Sequence, residues 1–200
     1  MAQSVVQWKE RRKRIMQFIF DLRKAIASVA FLVEKESGQL DMFLGLKILY
    51  LADKNSLIQW GKTITGDKFV SMPKGPVLSC IYNLFKGTAA RKHQKEWDAY
   101  FSERVNHSVH LLKKVDTGVL SEREMDVLDT ARKEVNGYAP WEVADWLHKT
   151  CPEWQDPKRS SSPINPRLIL RNAGRTPEEI KLMEESNRTF AHAQELLGIR

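Results

Sequence analysis

The run LDMFLGLKILYLADKNSLIQWG, residues 40–61, constrains this chain more than any other stretch. Its spacing predicts a helix that is apolar on nearly every side. Leu40, Phe43, Leu44, Ile48 and Leu51 make one face, and Met42, Leu46, Leu49 and Tyr50 make another. Such a helix is stable only where other elements cover most of its circumference, so the chain must fold around it. With 200 residues, 42% of them hydrophobic, there is material for one substantial core. Gly45 costs helix stability inside the run, which marks a place of close helix packing.

The flanking sequence reads as further helices. Apolar positions Ile19, Leu22, Ile26, Val29 and Val33 follow a 3-and-4 spacing that predicts an amphipathic helix from Ile15, ended by Gly38. Next comes Thr63–Val77, TITGDKFVSMPKGPV, with two glycines and two prolines. It has neither the P-loop spacing nor GxGxxG, so it reads as punctuation rather than a phosphate cradle. Thr65–Asp67 suits a tight turn, KFVSM a short strand, and Pro73–Pro76 a turn into the next helix, PVLSCIYNLF, with Pro76 at its first position.

QKEWDAYFSERV is a further helix, and Ser108–Val115 alternates as a strand. SEREMDVLDTARKEVNG carries a capping box, Ser121 with Glu124, and ends in Gly137; PWEVADWLHKT starts a helix at Pro140. From Gln155, QDPKRSSSPINP reads as a linker or extended arm. The terminal helix has Thr176 as N-cap, then Pro177 and Glu179, with Gly198 at its end. Its stripe of Ile180, Met183, Asn187, Phe190, Gln194 and Leu197 suits a helix that docks. The expected fold class is mainly α with a small β element, a short hairpin or strand pair near residues 64–72 and 107–115.

Charge and chemistry exclude more than they assign. Thirty-two basic residues against 25 acidic ones give +7, which permits acidic partners without requiring nucleic acid. Trp8–Arg14, WKERRKR, holds five of the positive charges and reads as a solvated helix face. Cys80 and Cys151 lie far apart and read as reduced thiols, and no segment reaches the roughly 20 apolar residues of a membrane span. A cytoplasmic protein with no membrane partner is expected. His107 and His110 lack companion ligands, and on a strand their spacing sends them to opposite faces. No cofactor, metal or catalytic set is expected. His148 reads as a helix residue packed under aromatics, and Trp141, Trp146 and Trp154 as core or interface anchors. A winged helix-turn-helix needs a basic recognition helix, and the best candidate, Pro76–Phe85, is apolar, so nucleic acid is not the expected partner.

The order of motifs resembles the Panacea domain of SocA-like and GepA-like phage-associated antitoxins, from about Ile15 to Trp154. The residues that carry it are Tyr50 and Asp53 of YLAD, Thr65, Gly66 and Asp67 with Phe69, and Pro73, Gly75 and Pro76. Leu120, Ser121, Glu124 and Leu128 follow, then Trp141, His148 and Trp154. The resemblance implies an antitoxin of a type II toxin–antitoxin pair, neutralising a toxin encoded nearby by direct protein contact. It also implies a structural role for the loop, with Asp67 tying down turn amides. At least one family member delivers its toxin to the ClpXP protease, so a protease is a second candidate partner and a homo-oligomer a third. On this reading residues 1–154 form the domain. Residues 155–200, outside the resemblance, form an arm for toxin specificity. The partner-binding residues expected are Arg11, Arg12, Lys13 and Arg14 at the basic entry, and Lys181, Glu184, Glu185 and Arg188 as exposed side chains of the last helix.

Overall fold

A computed structural model describes residues 16, 18–196 and 198; Arg11, Arg12, Lys13 and Arg14 lie outside the described residues. Among the described residues eight α-helices surround two small antiparallel sheets, so the chain is mainly α with a small β element. The first helix, α1 (Leu22–Lys35), begins later than its apolar spacing predicts. Asp21 caps it by accepting from Lys24 N–H, and Asp21 N–H donates to the Thr65 carbonyl at 2.8 Å. That bond pins the approach to the helix, and Ile19 stays outside it, 56% exposed.

Leu40 does not enter the central helix. It sits in β1 (Gln39–Asp41), paired antiparallel with β4 (Ser108–His110) in the register Leu40↔Val109. The helix α2 (Met42–Trp60) starts after Asp41, whose side chain accepts from Leu44 N–H, and ends at Gly61 in the left-handed conformation. Every residue from Gly45 to Asp53 is buried. Gly45 is small because Leu40 folds back on it: a Cβ there would lie 2.8 Å from Leu40 Cδ2. The close neighbour is thus the preceding strand's side chain and not a second helix.

The loop after α2 leads into a hairpin, β2 (Phe69–Met72) and β3 (Gly75–Leu78), joined by the two-residue turn Pro73–Lys74. Pro76 therefore stands in a strand opposite Ser71 and does not open the next helix, which is α3 (Ser79–Lys86). The reason is local. Gly75 adopts φ +93, which closes a tight turn at no Cβ cost and sends the chain back antiparallel. After α4 (Arg91–Asp98) and β4, a 3₁₀ turn at Thr117–Val119 leads to α5 (Glu122–Val135), which keeps its capping box, and α6 (Pro140–Thr150), with Pro140 in its first turn. Of the predicted strand Ser108–Val115, only Ser108–His110 is extended; Leu111 adds a single bridge to Phe101.

The stretch after Gln155 lies on the domain. Its strand β5 (Ser162–Pro163) adds to β2, giving the order β3-β2-β5, and Ile164 N–H donates to the Phe69 carbonyl at 2.9 Å. Helix α7 (Pro166–Asn172) buries Ile169 and Leu170 against α2. Helix α8 (Pro177–Leu196) buries Ile180 and lays Met183 over Gly61, and Asn187 Nδ2 donates to the Gly61 carbonyl at 2.7 Å. The core centres on α2, covered by α1, α5, α6, α7 and the hairpin.

Candidate functional site

The residues of the loop signature converge on two buried carboxylates. Asp53, on the fourth turn of α2, is fully buried and gathers the loop. Its Oδ1 accepts from Ile64 N–H (2.9 Å) and Thr65 N–H (3.1 Å), and its Oδ2 accepts from the Thr65 hydroxyl (2.5 Å). Asp67 sits one turn further on and is 1% exposed. Its Oδ1 accepts from Lys68 N–H (2.6 Å) and Cys80 N–H (2.9 Å), and its Oδ2 accepts from Ile81 N–H (2.9 Å). Two of those amides belong to the first turn of α3, where Leu78 supplies no side-chain cap. Asp67 is therefore a helix cap delivered from a distance as well as a clasp on its own turn. Sequence reasoning assigned the turn amides to Asp67, and most of that work falls to Asp53.

Gly66 stands between the two carboxylates at φ +68, and a Cβ there would lie 1.9 Å from the Ile19 carbonyl oxygen. No other residue fits. Burial pushes the Asp53 carboxyl up to about 7, against the pull of its Thr65 and Ile64 hydrogen bonds. Asp67 is raised for the same reason, and the Cys80 thiol beside it is driven to about 12 by burial and by that carboxylate.

A second buried polar group lies between α2, the hairpin and the end of α6. Tyr50 donates its hydroxyl to Glu153 Oε1 at 2.6 Å and meets Phe69 edge to face, ring centroids 5.7 Å apart. Lys54 Nζ pairs with the same Glu153 oxygen at 2.7 Å and touches Cys151 Sγ at 3.4 Å. Glu153 Oε2 has no hydrogen-bond partner among the described residues. Lys47, 2% exposed, donates to the Pro76 carbonyl at 3.0 Å. Burial brings its amine down to about 7. His148 stacks on Trp154, centroids 3.8 Å apart, and Trp154 Nε1 donates to the Met72 carbonyl at 2.9 Å. A Cβ on Gly75 would sit 3.1 Å from Lys47 Nζ and 3.6 Å from His148 Nε2, so glycine leaves room for both. Burial, followed by Lys47, lowers the imidazole's affinity for a proton, while Asp145 and Asp156 oppose that.

Tyr50, Asp53, Thr65, Gly66, Asp67, Phe69, Gly75, Pro76, His148 and Trp154 thus form two adjoining buried clasps that lock hairpin, α2, α3 and α6 together. Pro73 sits exposed at the hairpin turn. Trp141 stands apart on the surface, 71% exposed. Of the terminal-helix residues, Lys181, Glu185 and Arg188 are exposed, while Glu184 is not: it is 9% exposed and ion-paired with Arg167, which corrects its reading as an exposed side chain. Lys47, Lys54 and Glu153 went unnoticed in the sequence, where Cys151 reads only as a reduced thiol. The available signal was a lysine inside an otherwise apolar helix, Lys47, since such an amine must find an internal acceptor. Among the described residues, no group of three His, Cys, Asp or Glu is placed to hold a metal ion, and no helix is long and apolar enough to cross a membrane.

The chain belongs to the antitoxin SocA-like, Panacea domain family, whose model matches residues 46–155, just over half of its length. That span runs from α2 through the stacked His148 and Trp154, so it contains both clasps. No curated protein and no solved structure matches the chain.

Proposed function

We propose that this chain is an antitoxin that acts in the cytoplasm, holding a cognate protein toxin in an inactive complex by direct binding. The observation that carries the reading is the family match over 46–155, coupled with the agreement of its signature residues with the two clasps. The geometry supports a binding role in a specific way. Asp53, Asp67, Tyr50 and Lys54 spend their polar atoms on the protein's own backbone and side chains. What such a core supplies is rigidity, and rigid elements hold a contact surface at low entropic cost.

The test is co-expression with the product of the adjacent open reading frame. The neighbour alone should stop growth; with this chain present, growth should return and the two should elute together. A neighbour that vanishes in a protease-dependent way puts delivery for degradation in place of occlusion. A harmless neighbour that never co-elutes removes the antitoxin reading altogether.

A further inference from the structure

Most large apolar side chains of the described residues are inside, and the exposed ones are scattered, with one exception at the junction of α5 and α6. There Tyr138 is 43% exposed and Trp141 is 71% exposed. Tyr138 stacks on the half-buried Trp146, centroids 6.2 Å apart and planes 20° from parallel, so its ring is held rather than free. Trp141 and Asp145, four residues apart on α6, share one side of that helix, and Tyr138 enters from the segment just before it. An exposed tryptophan on a rigid helix costs solubility and contributes nothing to the core, yet it is the residue type that most often anchors a protein interface.

The charge of this ledge runs against that of the molecule. The chain carries +7, but beside the rings stand Glu142, which takes Ala139 N–H at 2.7 Å, and Asp145, which has no ion pair among the described residues. Lys149, one turn beyond Asp145, is the basic side chain on this side of α6. A cleft of about 220 Å³ opens next to the ledge, lined by Tyr138 and Gly137 together with Asp41, Glu36 and Arg132. Its arginine is already held by Glu36 at 3.1 Å and by Asp129 at 2.9 Å. An aromatic face next to an unspent carboxylate, here Trp141 and Asp145, is the chemistry that receives a guanidinium, which stacks on the ring and forks to the carboxylate.

We infer that the ledge of Tyr138, Trp141 and Asp145 is the surface that grips the protein partner, by receiving a basic, arginine-bearing segment of it. This rests on the proposed function and specifies where that binding occurs. It also reverses the expectation from net charge alone, that a basic chain meets its partner through basic residues. Trp141 fills the contact, and Asp145 sets its sign and its sensitivity to salt.

The experiment measures the dissociation constant between the full chain and the separately purified product of the adjacent reading frame. Variants W141A, W141F and D145K are compared with the wild type. W141A and D145K should each weaken binding by about tenfold or more, with unchanged circular dichroism and melting temperature. W141F should recover part of the loss, and raised salt should weaken the wild type more than D145K. Unchanged affinity in W141A and D145K overturns the ledge and leaves the antitoxin reading standing; a wild type that binds nothing overturns both. A wild-type dimer that W141A renders monomeric, with partner affinity unmoved, assigns the ledge to self-association and overturns the inference. Acrylamide quenching of Trp141 that appears only after residues 1–14 are removed gives the ledge to the chain's own basic run, with the same consequence.

Discussion

At the scale of single residues, the protein is held by carboxylates that act at a distance. Asp67 accepts three backbone amides from two segments, so Asp67→Ala should cost about 2–4 kcal/mol of stability, because three buried donors lose their acceptor together. Urea denaturation checks this, and a cost below 1 kcal/mol (roughly that of one exposed cap) would deny Asp67 its role. Lys47 makes a different prediction. Its folded-state pKa, about 7, lies below its ordinary 10.5, so between those values the unfolded chain binds a proton that the folded chain does not. Stability therefore rises with pH across that window. Lys47→Met should remove the rise, lowering the slope of stability against pH by up to about 1.4 kcal/mol per unit. Denaturation at several mildly alkaline pH values measures the slope, and identical slopes in wild type and variant would place the Lys47 amine outside the buried group. Neither role is written in local sequence: Asp67 caps a helix that starts twelve positions later, at Ser79, and the amine of Lys47 meets its acceptor on a strand.

At the scale of elements, the C-terminal segment belongs to the packing of the domain. Ile169 is 1% exposed and Leu170 is fully buried against α2, so Ile169→Ala and Leu170→Ala should each cost about 2–4 kcal/mol. The loss should appear in a single unfolding transition shared with α2. A separate early transition for residues 156–196 would contradict this. The same segment shows which elements the sequence announces. Helices α5, α6 and α8 carry their start signals within four residues, as Ser121 with Glu124, Pro140, and Thr176 with Glu179, and those bonds form as expected. The strands are announced poorly. Leu40 fits the helical stripe equally well, and only its pairing with Val109 makes it a strand. Pro76 is a good first helical residue, and only the turn at Gly75 makes it a strand residue. Ser162 and Pro163 have no strand signal at all and are extended because Val70 and Ser71 present an open edge.

At the scale of the whole molecule, the buried signature and the exposed ledge divide the work. The signature residues that the sequence singled out, Tyr50, Asp53, Thr65, Gly66 and Asp67, hold the elements in register, while Trp141, in the same family segment, faces outward. Thr65, Gly66 and Asp67 were legible because turns demand particular residue types, whereas Tyr50 and Asp53 stood out only through the family resemblance. The ledge was not legible, because the exposure of Trp141 depends on how α6 packs, and no spacing rule reports it. A rigid interior with one aromatic, acidic side is what a protein that acts by occupying another protein requires.

Analytical ultracentrifugation of the two purified proteins, this chain and the product of the adjacent reading frame, shows whether neutralisation is binding. With no protease present, the account predicts one species of defined stoichiometry, with neither free component left at equimolar mixing. Two components that sediment independently, under conditions where the chain still rescues growth, would contradict it.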